Sequence, residues 1–455
     1  MKRAIILFLA VTIQLTATAQ STNKSAHLAT KEETLGKLLP GADSNTLTVD
    51  ANFQHVAYVV KRGEKELAVM DGVEEKEYDK VAVKNEMYFS PDGKRLAYVA
   101  KRGDKKLVVV DGKEGKEYDD IYDLFNPIFS PDSQHLVYVA LMANPMAFGL
   151  PPVKKIVVVD RKEEKKYDTV HTPIFSRDSK RMAYSVEKNW NRGMCVVVDG
   201  IQGKTYDQIT TEAFSPDGSR FAYLVYERVD RSPGSLGNNF AVIDGAEKKK
   251  YFQDTAVSPV SFSPDSKHTA YTISGLENKV IRDDVAGKNY KRISGGVCFS
   301  PDSKRLAFTA LDGDKWKLFV DEKPGYDYGV NEYTVPVFCP DGRLAYVAKI
   351  GTNSSVVVAG IAGKPLEAIL TELTFNADGK HLAYAGQRGE KSIPILDGFE
   401  GKAYDKFLTC EPFLNTMGVD GPSNVGFAFD SRNVLHALAL RGNELFRLEF
   451  QIVEE

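Results

Sequence analysis

The chain has 455 residues, of which 43% are hydrophobic and 10% aromatic. That composition is sufficient for a folded core and differs from that of a disordered chain. The formal net charge of −3 at pH 7 gives no general argument for binding to nucleic acid or to an anionic membrane surface. We therefore expect no nucleic-acid partner.

Residues 1–19 have the pattern of a cleavable secretory signal. A basic pair at positions 2 and 3 precedes an apolar stretch to about position 15, and Ala17-Thr18-Ala19 fits a small-x-small cleavage site. The apolar stretch is too short for a membrane anchor. Because no cysteine follows the site, we expect no lipoprotein. The mature chain would be secreted or periplasmic and would have no transmembrane segment.

One stretch recurs along the chain and indicates the fold. Residues 89–100 read FSPDGKRLAYVA, in which Ser90-Pro91-Asp92-Gly93 fits a type I turn between two strands. A third strand over 107–110 and a charged fourth strand from 116 follow, each after another turn. Four short antiparallel strands in roughly forty residues are typical of one β-propeller blade.

The repeat predicts an all-β fold of about ten four-stranded blades. Repeat starts fall at residues 49, 89, 129, 175, 214, 262, 299, 338, 375 and 427. The last copy lacks a fourth strand, whereas the segment 20–46 carries a charged-then-apolar stretch that no blade uses. We therefore predict that this segment supplies a ring-closing strand to the propeller of residues 47–455, most simply as a single closed ring. Two packed rings are the alternative.

These repeats resemble the bacterial Pro-Asp variety of WD-type propeller repeat, as in TolB-like envelope proteins and the propeller domains of dipeptidyl-peptidase relatives. The resemblance covers about residues 47–451. It implies a propeller in the cell envelope, but it is weak for function because such propellers have many roles. No Gly-x-Ser-x-Gly motif of a hydrolase domain occurs.

Three insertions interrupt the regular repeat. The spacing from the second-strand Tyr to the third-turn Asp is 13 residues in Tyr98–Asp111 but 22 in Tyr138–Asp160 and 21 in Tyr223–Asp244. The insertions at 141–150 and 227–235 lie between second and third strands, and we place a third, 408–424, between a fourth strand and the next first strand. All three would then lie on one face, called here the decorated face. The opposite, plain face carries the Ser-Pro-Asp-Gly and Asp-Gly turns.

The decorated face is the predicted binding face, because functional loops concentrate on one side of a repeat scaffold. Neutral drift of surface loops is the alternative. The candidate ligand is a protein or a glycan. The candidate binding residues of the inserted loops are Met142, Met146, Phe148, Arg228 and Arg231.

The first strands should line the central channel, where His171 and Glu212 form a polar, acidic part of the mouth. Paired acid and base groups could perform catalysis there, although a hydrated channel rim explains the same residues. His55, His135, His268 and His381 share one repeat position with arginines, so we interpret them as structural. No Cys-x-x-Cys spacing indicates zinc. Cys298–Cys339 is the least implausible disulfide.

We therefore expect a non-catalytic protein- or glycan-binding or scaffold module, with no catalytic residues, cofactor or metal. A propeller-type glycan lyase or hydrolase with acidic and histidine groups at the channel mouth is the alternative. A sensor module that needs a membrane partner is a weaker third reading. Compact clustering of Glu212, His171 and neighbouring acids around one pocket would favour the enzyme.

Overall fold

A computed structural model describes residues 26–81, 87–121, 127–142, 154–187, 193–230, 235–252, 254–408, 426–430, 432–442 and 444–454. These residues form ten antiparallel sheets. No α-helix occurs among them, and so the described part of the chain holds no helix able to cross a membrane. The chain is a ten-bladed β-propeller, as the repeat predicted.

We number the blades 1 to 10 in chain order, with the strands of each sheet running from the channel outward. The first, innermost strands are Ala42–Val49; Lys80–Val81 with Met87–Phe89; Asp120–Ile121 with Ile128–Phe129; Thr169–Val170 with Ile174–Phe175; Gln208–Phe214; Ala256–Val257 with Ser261–Phe262; Arg292–Phe299; Val337–Phe338; Ala368–Ile369 with Thr374–Phe375; and Lys406–Phe407 with Ala428–Phe429. The second strands are Val56–Arg62, Leu96–Arg102, Leu136–Met142, Met182–Glu187, Phe221–Arg228, Thr269–Ser274, Leu306–Asp312, Leu344–Ile350, Leu382–Arg388 and Leu435–Arg441. The third strands are Lys65–Met70, Lys105–Val110, Lys154–Val159, Met194–Val198, Gly237–Ile243, Lys279–Arg282, Lys315–Val320, Asn353–Val358, Lys391–Leu396 and Glu444–Glu454. The outer strands are Val73–Tyr78, Lys113–Glu114, Lys162–Tyr167, Ile201–Tyr206, Ala246–Glu247 with Tyr251–Phe252, Val285–Ala286, Lys323–Pro324, Ile361–Ala362, Phe399–Glu400 and, for blade 10, Ala26–Lys37.

Buried apolar clusters join every blade to the next. The cluster between blades 2 and 3, for example, combines Val108 and Val110 with Ile156 and Val158. Blade 10 packs on blade 9 and also on blade 1, so the sequence of contacts returns to its start. The single closed ring is therefore confirmed. Because both faces of each sheet are covered, the second and third strands are apolar at successive positions and do not alternate.

The ring closes through the strand predicted from the N-terminal segment. Ala26–Lys37 pairs antiparallel with Glu444–Glu454 from Ala26↔Glu454 to Lys37↔Glu444. It occupies the outer position of blade 10, next to the third strand. The two ends of the described chain therefore lie together and complete one sheet.

Glu32 gives this strand the rim contacts of a regular outer strand. At three other junctions, a Tyr hydroxyl donates to a Glu of the next blade at 3.0 Å, in the pairs Tyr78–Glu114, Tyr118–Glu163 and Tyr206–Glu247. Across the closure, Tyr404 donates to Glu32 at 2.7 Å and Arg441 donates to the same carboxylate at 3.0 Å. The closing strand is thus held by the same polar contact as the others.

The plain face carries a second set of contacts between blades. Arg95 donates to Asp111 of its own blade at 3.0 Å and to the carbonyl of Ser133 in the next blade at 2.9 Å, and its guanidinium lies 5.1 Å from the Phe129 ring centre. The four repeat-position histidines instead bond through Nδ1 to a turn aspartate at 2.6–2.7 Å. These histidines are structural, as interpreted from the repeat.

Two positions assigned from the sequence were wrong. The residue of blade 10 that matches Phe89 is Phe429, not Phe427, because Phe429 pairs with Leu435 as Phe89 pairs with Leu96.

The 408–424 insertion does not join a fourth strand to a first strand. Lys406–Phe407 and Ala428–Phe429 both pair with the second strand of blade 10, so the insertion interrupts the innermost strand at the channel wall. Its residues 409–424 lie outside the described part.

Replacing Glu32 by glutamine should weaken ring closure. Burial raises the pKa of Glu32, but the bonds from Tyr404 and Arg441 outweigh it and hold that pKa below its ordinary value. We expect Glu32→Gln to lower the free energy of unfolding by about 1–2 kcal/mol near neutral pH, as measured by chemical denaturation.

The contribution of Glu32 to the free energy of unfolding depends on pH with a defined sign. Because the folded-state pKa is the lower one, the contribution of Glu32 is present above the unfolded-state pKa of about 4.3 and is lost as the pH falls through the folded-state pKa. The variant should therefore lose less stability on acidification than the wild type. Glu390→Gln, at an exposed turn of blade 9, is the control, and an equal effect of both substitutions would contradict the role of Glu32.

Ser303 offers a test of the plain-face contacts. It has φ of +62°, and its Oγ accepts a bond from the backbone N–H of Asp265 in the preceding blade at 3.0 Å. Ser303→Ala should lower the free energy of unfolding by about 1–2 kcal/mol, because it removes this bond and keeps the left-handed backbone. Ser303→Gly also loses the bond but relieves the backbone strain, so we expect a smaller loss. Equal or reversed losses in denaturant titrations would refute this account.

Candidate functional site

The innermost strands are interrupted where they line the channel. In blades 4, 6 and 9 each splits into two short strands, and in blades 1, 5 and 7 the pairing register shifts. Three breaks are closed by a hydroxyl that accepts from the second strand: Thr46 from Val59 at 2.8 Å, Ser258 from Thr272 at 2.8 Å and Thr371 from Ala385 at 2.9 Å. A polar side chain at such an interruption of the innermost strand therefore normally forms its hydrogen bond within its own blade.

The junction of blades 4 and 5 departs from this rule. His171 lies in the break between Thr169–Val170 and Ile174–Phe175, and its backbone N–H donates to the carbonyl of Ser185 at 2.8 Å. Tyr184 and Val186 pack toward blade 3, so alternation along the strand directs Ser185 toward blade 5. His171 and Ser185 thus lie beside each other on the blade 5 side of blade 4.

Glu212 approaches the same place from blade 5. It precedes by two residues Phe214, which packs into the core shared by blades 4 and 5, so alternation directs Glu212 toward blade 4. The charge of Glu212 also acts on the titration of His171. The two residues that the sequence placed at the channel mouth therefore lie on the facing sides of blades 4 and 5. We call His171, Ser185, Thr211 and Glu212 the junction site.

The junction site holds polar atoms that this chain does not satisfy. Within the described ranges, Ser185 Oγ, Thr211 Oγ1 and Glu212 Oε1 are buried and have no hydrogen-bond partner. Ser185 is only 1% exposed, whereas Thr211 and Glu212 keep some exposure. Buried polar groups are almost always bonded, so the unpartnered oxygens of Ser185 and Glu212, with that of the adjacent Thr211, mark a junction whose polar groups the described residues leave incompletely bonded.

Backbone strain and a shifted titration mark the same site. Thr211 has φ of +52°, an outlier for a β-branched residue, and such strain clusters at binding and catalytic sites. Burial lowers the pKa of His171, although the nearby charges of Glu212 and Glu187 oppose this. The neutral form of the His171 imidazole is therefore favoured. A neutral imidazole can both donate and accept a hydrogen bond.

The other predicted binding residues do not join this site. Met142 is partly buried and packs against the core between blades 2 and 3. Arg228 binds both oxygens of Asp207, with Nη2 at 2.7 Å from Oδ1 and its backbone N–H at 2.8 Å from Oδ2. This pair fixes the start of the blade 5 loop. Met146, Phe148 and Arg231 lie outside the described residues.

Metal and disulfide chemistry find no support in the described ranges. No group of three or more His, Cys, Asp or Glu side chains there is placed to hold a metal ion. Cys298 and Cys339 are separate thiols and do not form the disulfide considered from the sequence. Burial raises the pKa of both thiols, which keeps them protonated and unreactive.

Sequence reasoning missed Ser185. Ser185, in Tyr184-Ser185-Val186, stands where the repeat has Val99 or Val139, but Thr272 and Thr309 also place a hydroxyl at this position, so the sequence signal is weak. Its meaning depends on the neighbouring blade, because only the packed ring shows that no partner faces its hydroxyl.

No protein-family model and no curated protein matches this chain. Among solved structures, the chain is similar to the Dos1 propeller, with 10% identity, a TM-score of 0.34 and coverage of 71% of this chain and 90% of that one. It is also similar to TolB from Acinetobacter baumannii (12%, 0.26, covering 70% and 80%) and to the β-propeller domain of the Trilobed protease from Pyrococcus furiosus (11%, 0.30, covering 62% and 96%). At these identities and TM-scores the similarities carry no functional conclusion. The ten sheets of this chain establish its fold.

Replacing Thr211 by glycine should stabilise the protein. Glycine adopts positive φ without strain, and the substitution also removes a buried hydroxyl that lacks a partner. We expect the free energy of unfolding to rise by about 1 kcal/mol in denaturant titrations. Thr210→Gly, at the adjacent exposed position with regular strand pairing, is the matched control and should destabilise by about 0.5–1 kcal/mol. Destabilisation by both would show that Thr211 is not strained.

Proposed function

We propose that this chain is an extracytoplasmic, non-catalytic β-propeller that binds a glycan at the junction site. The observation that carries the proposal is the group of unpartnered buried oxygens on Ser185, Thr211 and Glu212. A sugar hydroxyl both donates and accepts hydrogen bonds, so adjacent hydroxyls can donate to the Glu212 carboxylate and accept from Ser185 and Thr211. The same groups would bind an apolar protein surface poorly, because they would remain unsatisfied.

The proposed location rests on the signal-like pattern of residues 1–19. The proposed family is the TolB-like variety of Pro-Asp propeller repeat, on the motif of residues 89–100. Both fit a module that meets glycans in the cell envelope. The binding position moves from the inserted loops of the decorated face to the channel wall between blades 4 and 5, because Met142 and Arg228 are committed to contacts within the chain.

A glycan lyase or hydrolase is the second candidate. It is favoured by the placement of an imidazole and a carboxylate on neighbouring blades, His171 in blade 4 and Glu212 in blade 5. A neutral His171 could serve as a general base and Glu212 as its charged neighbour. Turnover of a bound saccharide that is abolished by His171→Ala would establish this alternative in place of the binding module.

The decisive test is binding of the purified mature protein to an array of bacterial and plant oligosaccharides, followed by calorimetry with the best-bound saccharide. Glu212→Gln should weaken this binding at least tenfold, because a hydrogen bond to a charged group contributes about 1.5–3 kcal/mol. Glu372→Gln is the matched control. Glu372 also lies at a channel-wall break, and burial raises its pKa, but it belongs to blade 9, far from the junction site.

Three outcomes separate the hypotheses. Selective loss with Glu212→Gln, with no product formed, supports the binding module. Equal binding by both variants places the saccharide elsewhere and refutes the junction site. Absence of saccharide binding by the wild type refutes the proposed ligand class.

A further inference from the structure

The connection into blade 8 is unlike the others. In blade 9 the span between the preceding outer strand and Thr374–Phe375 contains the paired strand Ala368–Ile369, whereas in blade 8 residues 325–336, between Lys323–Pro324 and Val337–Phe338, contain no paired strand. This segment lies on the decorated face, where every fourth strand leads into the next blade. It carries three exposed tyrosines: Tyr326, Tyr328 and Tyr333.

A compact turn presents the most exposed of these rings. Tyr333 is 82% exposed, although its backbone N–H is bound by the Asn331 side chain at 2.9 Å. The Thr334 hydroxyl accepts from the Asn331 N–H at 3.0 Å. The Thr334 carbonyl accepts from the buried hydroxyl of Thr309 in blade 7, also at 3.0 Å. The turn is therefore fixed to the neighbouring blade, and ordering its backbone adds little to the entropy lost on binding.

The residue that precedes Tyr333 in the sequence belongs to an ion pair. Glu332 forms an ion pair with Arg292 of blade 7 at 3.1 Å. The Arg292 guanidinium lies 5.8 Å from the ring centre of the partly buried Trp316. The two charges neutralise each other, and both side chains keep solvent exposure, 63% for Arg292 and 37% for Glu332. We call Tyr333, Glu332, Arg292 and Trp316 the aromatic shelf.

We propose that the aromatic shelf is a second saccharide subsite, at which a neutral sugar ring stacks on Tyr333. One face of a pyranose presents C–H groups that pack on an aromatic ring, and its rim presents hydroxyls. Here those hydroxyls would meet the Glu332 carboxylate and the Arg292 guanidinium. The inference rests on the proposed glycan-binding function for its ligand class, but it uses residues of blades 7 and 8 and none of the junction site.

The surroundings argue against two other partners. A protein hot spot is a desolvated aromatic group within a well-packed pocket, whereas Tyr333 stands alone in solvent beside an ion pair. A nucleic acid needs uncompensated positive charge, and Glu332 neutralises Arg292. A neutral ring with hydroxyls on its rim fits both the exposed aromatic face and the balanced charges.

The test is affinity electrophoresis of the full mature protein in native gels containing hydroxyethyl cellulose, xylan, mannan or mixed-linkage β-glucan. We expect at least one neutral polysaccharide to retard the wild type. Tyr333→Ala should reduce that retardation at least fivefold, whereas Tyr333→Phe should preserve it because the stacking ring remains. Leu276→Ala, at a turn residue that is also 82% exposed, is the control and should migrate as the wild type does.

The outcomes also separate this inference from the junction site. Retardation lost with Tyr333→Ala but kept with Glu212→Gln supports the shelf, even if the junction site fails. Unchanged retardation with Tyr333→Ala overturns the shelf, as does a wild type that none of the four polysaccharides retards. A shelf that binds a protein or single-stranded DNA, and no polysaccharide, in the same gels would also refute the saccharide assignment.

Discussion

The structure depends on closure of a ring in which every sheet is buried between two others. A blade has no apolar face that it can leave in water, because its second and third strands are covered on both sides. A single open junction would expose two sheet faces at once. The strand Ala26–Lys37 prevents this by completing blade 10, and Glu32 extends to it the Tyr–Glu contact of the regular rim.

The repeated polar contacts explain why the two candidate sites stand out. On the plain face, arginines and histidines are committed to turn aspartates, and on the rim, tyrosines are committed to glutamates. Breaks in the innermost strands are closed by hydroxyls such as Thr46. Ser185 and Glu212 have polar atoms outside this pattern, and Tyr333 has an aromatic ring outside it.

Both candidate sites have structural features that are present before any ligand binds. At the junction site, strain at Thr211 and unbonded oxygens lower the stability of the unliganded protein, a usual consequence of building a polar site into a core. At the aromatic shelf, the turn around Asn331 is already ordered before any ligand arrives. Both lie on blades whose positions are fixed by the closed ring.

The repeat period and its turn residues were sufficient to predict the blades, their number and the closing strand, because each follows from local chemistry. Ser-Pro-Asp-Gly sets a turn by its own backbone preferences, and the unmatched charged segment left one place for the missing strand. The error at Phe427 has a physical cause. Phe427 and Phe429 are two residues apart and project to the same side of a strand, so only the observed pairing of Phe429 with Leu435 decides the register.

The sequence by itself determined the architecture and named His171 and Glu212 as channel residues. Only the tertiary structure decided that Met142 packs against the core between blades 2 and 3, that Arg228 is bound to Asp207, and that Ser185 lies on the blade 5 side of blade 4. The reason is that local patterns specify which strand a residue occupies, whereas the partner of a side chain in a propeller belongs to the next blade, roughly forty residues away. Hydrogen bonds left unmade across that junction become visible only when the ring is closed.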